Sequence, residues 1–475
     1  MPSAGSSLEQ SVRLAHGPLV PLLPPKPISR SVPPLSSRTP SAPIHPGWTR
    51  ETLTLPAAFP RSYRGSTRSA GSARAPFPPP GPDGRINPKD TFEALLRPQI
   101  EGFVQPVDAQ DTAELERQEQ LLVVVNRYRP EKSLPEGQQA LTLVFSHANG
   151  FYKEVWEPTL SSLLDRLEAD KRALPVEEVW ALDCVNQGDA AVLNQDVLGD
   201  VFNWADHGRD LLNFVVSYID SPPSSTLHAT QPSTLSPAPN VESALLSLDN
   251  TASISPGSST ATCRAYRNRL IVGIGHSLGG GATAYAASAV PSLFSSLILI
   301  DPVLPRPEIE TRAMEALTIG ALVRREKWKT REEAFEGFQK KPFFQAWDSK
   351  VLEGYVEHGL KTTEGGVALK CTARDEALTF CDPMSVAARR ACARLSSLPS
   401  TLPVHFIFAD SNRSVLSEDI IDYIIGRAVP HASAARVKGA GHLVVHEKPD
   451  ETARLIQAFL ERVYPRPIEG TKARL

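Results

Sequence analysis

The sequence predicts an α/β fold: a mainly parallel sheet covered by helices on both faces, with a helical lid over one end. Three observations carry this reading. Short apolar runs of strand length alternate with stretches whose apolar residues recur at helical spacing, the pattern of a parallel sheet built from crossover units. One of these junctions, Arg269 to Val290, passes from an apolar run through Gly-His-Ser-Leu-Gly-Gly-Gly into an Ala-rich helix. A mainly helical stretch, 308–396, then interrupts the alternation before it resumes.

Taken in order, residues 1–90 hold nineteen of the 43 prolines and eleven Lys/Arg against four Asp/Glu. Such a stretch buries too little apolar surface to offset chain entropy, which predicts a disordered tail. Its Arg and Ser content also fits a mitochondrial transit peptide, although the prolines oppose the amphipathic helix such peptides form. The ordered domain is expected over 91–464. Leu121–Arg129 and Leu141–Phe145 read as strands. Val155–Arg172 carries Val155, Leu160, Leu163, Leu164 and Leu167 on one helical face. Val179–Cys184 is a buried strand and Trp204–Ile219 an amphipathic helix. Residues 221–262, rich in Ser, Thr and Pro, read as a low-complexity insertion. Leu297–Ile300 and Val404–Ala409 are strands on either side of the lid. Ser417–Arg427 is a helix, Ala435–Lys438 a short strand and Glu447–Val463 the last helix. Residues 465–475 form a C-terminal tail.

Length alone, 475 residues, allows two or three domains, and 41% hydrophobic residues supply a large core. A net charge of -3 gives no reason to expect nucleic acid as a partner. The five cysteines, Cys184, Cys263, Cys371, Cys381 and Cys392, contain no C-x-x-C pair. Their odd number and scatter argue against a disulfide framework, against a zinc site, and for a compartment that builds no disulfides. No apolar run reaches the length of a transmembrane helix, and the N-terminus lacks the apolar core of a secretory signal.

The chemistry concentrates in three places. Gly275-His276-Ser277-Leu278-Gly279 lies between a strand and a helix. A serine hydroxyl is a weak nucleophile unless a sharp turn projects it toward a base, and flanking glycines relieve the crowding of that turn. Leu278 would open the helix, where its amide can donate to an oxyanion. Gly439-Ala440-Gly441-His442 sits between the last strand and the last helix, in a glycine-flanked loop that lets an imidazole reach over the sheet edge. His446 is a weaker candidate for the same role. Phe145-Ser146-His147-Ala148-Asn149-Gly150-Phe151 ends an early strand.

In order along the chain, HANGF at 147–151, LDCVNQGDA at 182–190, GHSLGGGA at 275–282, LIDP at 299–302 and GAGH at 439–442 resemble the α/β-hydrolase superfamily. The HANGF and Asp-Asn-x-Gly-Asp features look most like fungal peroxisomal serine hydrolases of the lipase and esterase kind. The resemblance implies the α/β-hydrolase fold and a serine hydrolase with Ser277 as nucleophile and His442 as base. It would cleave an ester or thioester of an apolar acyl substrate, with no metal or organic cofactor. It also implies a second oxyanion amide in the loop after the early strand, where many relatives carry His-Gly. Here the loop reads His-Ala-Asn-Gly, so the donor is Asn149 or Ala148, with His147 bracing the loop. The acid has two candidates. The family usually places it after the strand ending at Ala409, but the usual spacing falls nearer Asn412 than Asp410. Some members place it one strand earlier, which is Asp301. Each carboxylate also has a plain structural reading, as a strand-end cap or a turn aspartate.

Asp183 and Asp189 flank a turn that their side chains would fix. Phe343, Phe344 and Trp347 either line an acyl pocket or pack the lid. Ala473-Arg474-Leu475 resembles the small-basic-Leu address read by the peroxisomal import receptor, which makes the peroxisome the expected location, with cytoplasm and mitochondrion as alternatives. Within the superfamily, the same triad serves acyltransferases and carbon–carbon bond hydrolases, and non-catalytic binding members also exist.

Overall fold

A computed structural model describes residues 20–35, 43–72, 74, 87–219, 233–234, 269–306, 312–382, 386–410, 416–428 and 432–467. The strands are β1 (Trp48–Pro56), β2 (Leu122–Pro130), β3 (Leu141–Ser146), β4 (Val176–Leu182), β5 (Ser233–Thr234), β6 (Leu270–His276), β7 (Ser296–Ile300), β8 (Lys327–Trp328), β9 (Leu360–Thr363), β10 (Gly366–Leu369), β11 (Val404–Ala409) and β12 (Ser433–Val437). Nine of them form one sheet in the order β12-β11-β7-β6-β3-β4-β2-β1-β5. From β12 to β4 every neighbouring pair is parallel, and β2 runs antiparallel to both β4 and β1. The central strands are buried on both faces, which is why β3, β6, β7 and β11 read as continuous apolar runs rather than alternating ones.

Helices cover both faces. On one side Trp204–Ser217 and Leu278–Ala289 pack against the sheet through Leu211, Phe214, Ala284 and Ala287, and Val386–Arg394 packs on these two helices through Ala388 and Ala391. On the other, Glu157–Asp170 and Pro449–Val463 contribute Leu160, Leu163, Ile456, Phe459 and Leu460. The chain belongs to the α/β class predicted from its periodicity, with its parallel strands ending together at one edge of the sheet.

Three expectations need correction. The tail assigned to 1–90 is ordered in part. β1 pairs with β2 along its whole length, and Leu53 and Leu55 are fully buried. Arg61 enters a buried pair with Asp210 (2.7 Å), and Ser62 binds Asp206. Composition averaged over ninety residues masked the nine-residue alternation of Trp48–Pro56, which becomes a strand only because β2 offers it an edge. Within 1–90, residues 1–19, 36–42, 73 and 75–86 lie outside the described residues. A helix begins at Pro88, ahead of the expected boundary at 91, with Asn87 as its cap and Pro88 in its first turn.

The stretch 308–396 is not purely helical. Beside the helices Arg312–Leu322, Arg331–Gln339, Ser349–His358 and Ala373–Phe380 it holds a three-stranded antiparallel sheet, β8-β10-β9. The β9–β10 hairpin turns at Glu364-Gly365-Gly366, where Gly366 takes a φ of 135° that other residues resist. The last helix of the stretch, Val386–Arg394, packs on the main sheet's helix layer rather than over its edge. Of the insertion 221–262, only Ser233–Thr234 is described, paired parallel with Leu53–Thr54. The tripeptide Ala473-Arg474-Leu475 lies outside the described residues. No helix among the described residues is long and apolar enough to cross a membrane.

Candidate active site

Sheet register brings the candidate residues to one place. His276 pairs with Ile300 and Ile300 with Ile407, so the residues that follow β6 and β7 emerge side by side. The Ser277 amide donates to Ile300 O (3.0 Å), and the Val303 amide donates to Ser277 O (3.1 Å). Ser277 has φ 54°, outside the region that L-residues prefer, at a strand-to-helix turn. The neighbouring glycines are needed because backbone occupies their side-chain space. A Cβ on Gly275 would lie 2.7 Å from Gly280 N, and one on Gly279 would lie 2.7 Å from His147 O and closer still to Ser146 O. That second contact also sets the loop after β3 directly against the start of the helix.

His442 Nε2 lies 2.9 Å from Ser277 Oγ, and His442 Nδ1 lies 2.6 Å from Asp301 Oδ2. A carboxylate only accepts, so Nδ1 carries the proton and Nε2 is the lone pair facing the serine hydroxyl. Asp301 is fully buried, with φ 38°, and its Oδ1 accepts from the Ala409 amide (3.0 Å). The other candidate acid stands elsewhere. Asp410 Oδ2 accepts from the Gly439 amide (2.7 Å), and the Asp410 amide donates to Ala440 O (3.0 Å), which pins the loop that carries His442.

Around this chain stand three buried histidines. His276 Nε2 donates to His442 O (2.8 Å) and fixes the backbone of the base loop, while burial lowers its pKa to about 3. His147 lies at the end of β3. Its Nδ1 donates to Ala148 O (2.8 Å), its Nε2 accepts from the Cys184 amide (3.3 Å), and burial lowers its pKa to about 4. His446 is buried between Phe151 and Trp347, its ring centre 4.1 and 4.7 Å from theirs, and burial holds its pKa well below the usual range. Neither of its ring nitrogens has a hydrogen-bond partner among the described residues, and Ser277 Oγ pairs with His442 instead.

Leu278 is the first residue of its helix, so its amide belongs to the turn that has no intrahelical acceptor. In the loop after β3, the Gly150 amide is taken by Gln187 Oε1 (2.9 Å), whereas the Ala148 and Asn149 amides have no acceptor among the described residues. Of the three aromatics, Trp347 meets Phe151 and His446, Phe344 packs on Phe338 and Tyr355, and Phe343 is 56% exposed.

Sequence reasoning missed an ionic cluster behind this loop. Lys153 Nζ, fully buried, lies 3.2 Å from Asp183 Oδ2 and 2.5 Å from Asp189 Oδ2, and Lys370 reaches Asp189 Oδ1 (2.6 Å). Asp183 also accepts from the Lys153 and Asp189 amides, both at 2.8 Å, so the turn-fixing role read from its position is real but partial. Lys153, two residues after the HANGF motif, was the available signal.

A hydroxyl bonded to an imidazole, itself bonded to a buried carboxylate, can lose its proton as it attacks a carbonyl carbon. A model of the alpha/beta hydrolase family matches residues 143–455. The chain belongs to that family. It is 26% identical over 246 residues to a type I acyl-CoA thioesterase of Penicillium brevicompactum, a match covering 51% of this chain and 45% of that protein. It is 32% identical over 165 residues to a peroxisomal membrane protein of Saccharomyces cerevisiae, covering 34% of this chain and 31% of the other. These matches span less than half the length of either relative. The solved structure of a peroxisomal alpha-beta-hydrolase from Saccharomyces cerevisiae superposes with a TM-score of 0.58 at 21% identity, covering 91% of this chain and 94% of that one.

Proposed function

We propose that this member of the family is a serine hydrolase that cleaves an ester or thioester of an apolar acyl group through an acyl-enzyme. The observation that carries the reading is the unbroken hydrogen-bonded chain from Ser277 Oγ through His442 to Asp301. Ser277 Oγ attacks the acyl carbonyl carbon while its proton passes to His442 Nε2. Asp301 holds the imidazole in the required tautomer and stabilises the imidazolium. The oxyanion is held by the Leu278 amide and by the Asn149 amide, or its neighbour Ala148. His442 then returns the proton to the departing thiol or alcohol. Water attacks the acyl-enzyme with His442 as base, releasing the acid and restoring the serine. The segment 312–382 serves as the lid, with Trp347 and Phe151 bounding the acyl side of the site.

The thioesterase named among the relatives supports the thioester side of this reading, and the peroxisomal names support residence in the peroxisome, with Ala473-Arg474-Leu475 as the segment taken by the import receptor. Two measurements test these points. Hydrolysis of p-nitrophenyl esters and acyl-CoAs of graded chain length is measured for the full chain and for Ser277→Ala. The variant should lose about 10³-fold or more. Near-full activity in Ser277→Ala would overturn the mechanism. A fluorescent protein at the N-terminus should give peroxisomal puncta that vanish when residues 473–475 are deleted, and mitochondrial staining would contradict the location.

A further inference from the structure

The loop after β3 must hold one backbone amide at a fixed point, yet between Ser146, locked by the sheet, and Gly150 it is irregular chain. What holds it comes from the turn that follows β4. Gln187 is fully buried and makes two hydrogen bonds to this loop. Its Oε1 accepts from the Gly150 amide (2.9 Å), and its Nε2 donates to Asn149 Oδ1 (2.7 Å). These two contacts lie immediately beside the Ala148 and Asn149 amides, which have no acceptor among the described residues. The turn itself is rigid. Gly188 takes φ 56°, a Cβ there would strike the Asp183 carboxylate, and Asp183 ties the turn to Lys153 and to the Asp189 amide. Asn149 also faces the inserted segment, since its Nδ2 donates to Glu376 O (3.2 Å). Asn186, next to Gln187, binds that same helix through Asp375 O (3.2 Å) and Thr379 Oγ1 (2.9 Å).

We infer that Gln187 is the positioning residue of the oxyanion loop, acting through the Asn149 side chain and the Gly150 amide. This rests on the serine-hydrolase reading above. Gln187 touches no reacting atom. It sets the angle of the peptides that do, and one face of Asn149 remains for the lid helix. An oxyanion donor is worth about 10²- to 10³-fold in kcat when removed. Loosening the donor without deleting it should cost about 10- to 100-fold.

The test uses Gln187→Met, which keeps the bulk and removes both hydrogen bonds, in the full-length chain. Active sites are titrated with a fluorophosphonate, and kcat is expressed per titrated site on a p-nitrophenyl ester. We expect kcat per site to fall about 10- to 100-fold with KM within about twofold. An alkylboronic acid, whose tetrahedral adduct places an oxygen where the oxyanion forms, should bind weaker by a similar factor. A purely structural residue would lower thermal stability and the titratable fraction and leave kcat per site and boronate affinity alone. Asn149→Ala removes one partner of Gln187 and should lower kcat per site about 5- to 10-fold. The double variant should lose no more than Gln187→Met alone, because both act on one loop. A kcat per site within twofold of wild type in Gln187→Met, or losses that multiply in the double variant, would overturn the inference. If Gln187→Met does not fold, Asn149→Ala decides, and wild-type kcat per site there refutes it. If the unmodified chain takes up no fluorophosphonate, the serine-hydrolase reading falls and this inference with it. Full titration with an unaffected Gln187→Met removes this inference only.

Discussion

Replacing Asp301 by Asn puts the assignment of the acid at risk in a way that can be worked out beforehand. Asp301 uses both oxygens: Oδ1 accepts from the Ala409 amide and Oδ2 from His442 Nδ1. A carboxamide has one acceptor oxygen. The Ala409 amide is fixed by the sheet and will claim it, so the NH₂ must face His442 Nδ1. Two donors cannot share that contact. The imidazole must move its proton to Nε2, which then faces Ser277 Oγ with a hydrogen instead of a lone pair. The base is lost although the shape is kept. The expected fall in kcat is about 10³- to 10⁴-fold, or about 4 to 5.5 kcal/mol of barrier. Asp410→Asn behaves differently. A carboxamide oxygen still accepts from the Gly439 amide, so the His442 loop keeps its anchor and kcat should fall less than about tenfold. The assay is hydrolysis of a p-nitrophenyl ester per folded molecule, with folding checked by thermal unfolding. A near-normal Asp301→Asn beside a crippled Asp410→Asn would refute the reasoning.

Gly279→Ala drives a methyl into Ser146 O and His147 O, both backbone, so the loop after β3 must shift; melting temperature and kcat should both fall, the stability by about 1–3 kcal/mol, and an unchanged kcat would contradict the close approach. Arg61→Ala leaves the buried Asp210 and Asp206 carboxylates short of a cation and should cost about 3–5 kcal/mol in chemical denaturation, whereas a loss under about 1 kcal/mol would mean that residues 43–72 contribute little to the fold. His147, His207, His276 and His405 are held by burial at about 4, 3, 3 and 4, below the usual 6.5. The unfolded chain therefore binds protons that the folded chain refuses, so their stabilising contribution is whole above about pH 6.5 and is lost as pH falls from there toward about 4 to 3. The unfolding free energy from chemical denaturation should drop steadily over pH 6.5 to 4.5, by on the order of 1 kcal/mol per pH unit for each histidine, and a flat profile would contradict the burial of these rings.

How much of this was legible follows from which forces are local. The strand-to-helix turn at Ser277 was readable because an apolar run, four glycines around a serine and an Ala-rich helix succeed one another. The loop position of His442 was readable because glycines precede it between the last strand and the last helix. Which of Asp301 and Asp410 lies beside His442 was not, since it depends on the register of β7 against β11, which sets Ala409 N opposite the Asp301 carboxylate. β1 was missed because its stability lies in a partner strand more than sixty residues away. The hairpin of β9 and β10 was overlooked although Gly365-Gly366 signalled a turn, because two strands of four residues are outweighed by the helices around them. Gln187 carries no signal at all in one sequence. A buried glutamine is recognised only once the loop it braces is seen opposite it.

The measurement that bears most directly on the central claim is the mass of the enzyme during turnover. The full chain is mixed with a slowly deacylating p-nitrophenyl ester, quenched in acid within the burst, and digested for peptide mass spectrometry. The account predicts one acyl group, on the peptide containing Ser277, appearing at the rate of the p-nitrophenol burst and disappearing in Asp301→Asn. A burst whose acyl group resides on another residue, or turnover with no acylated peptide at any time, would contradict it.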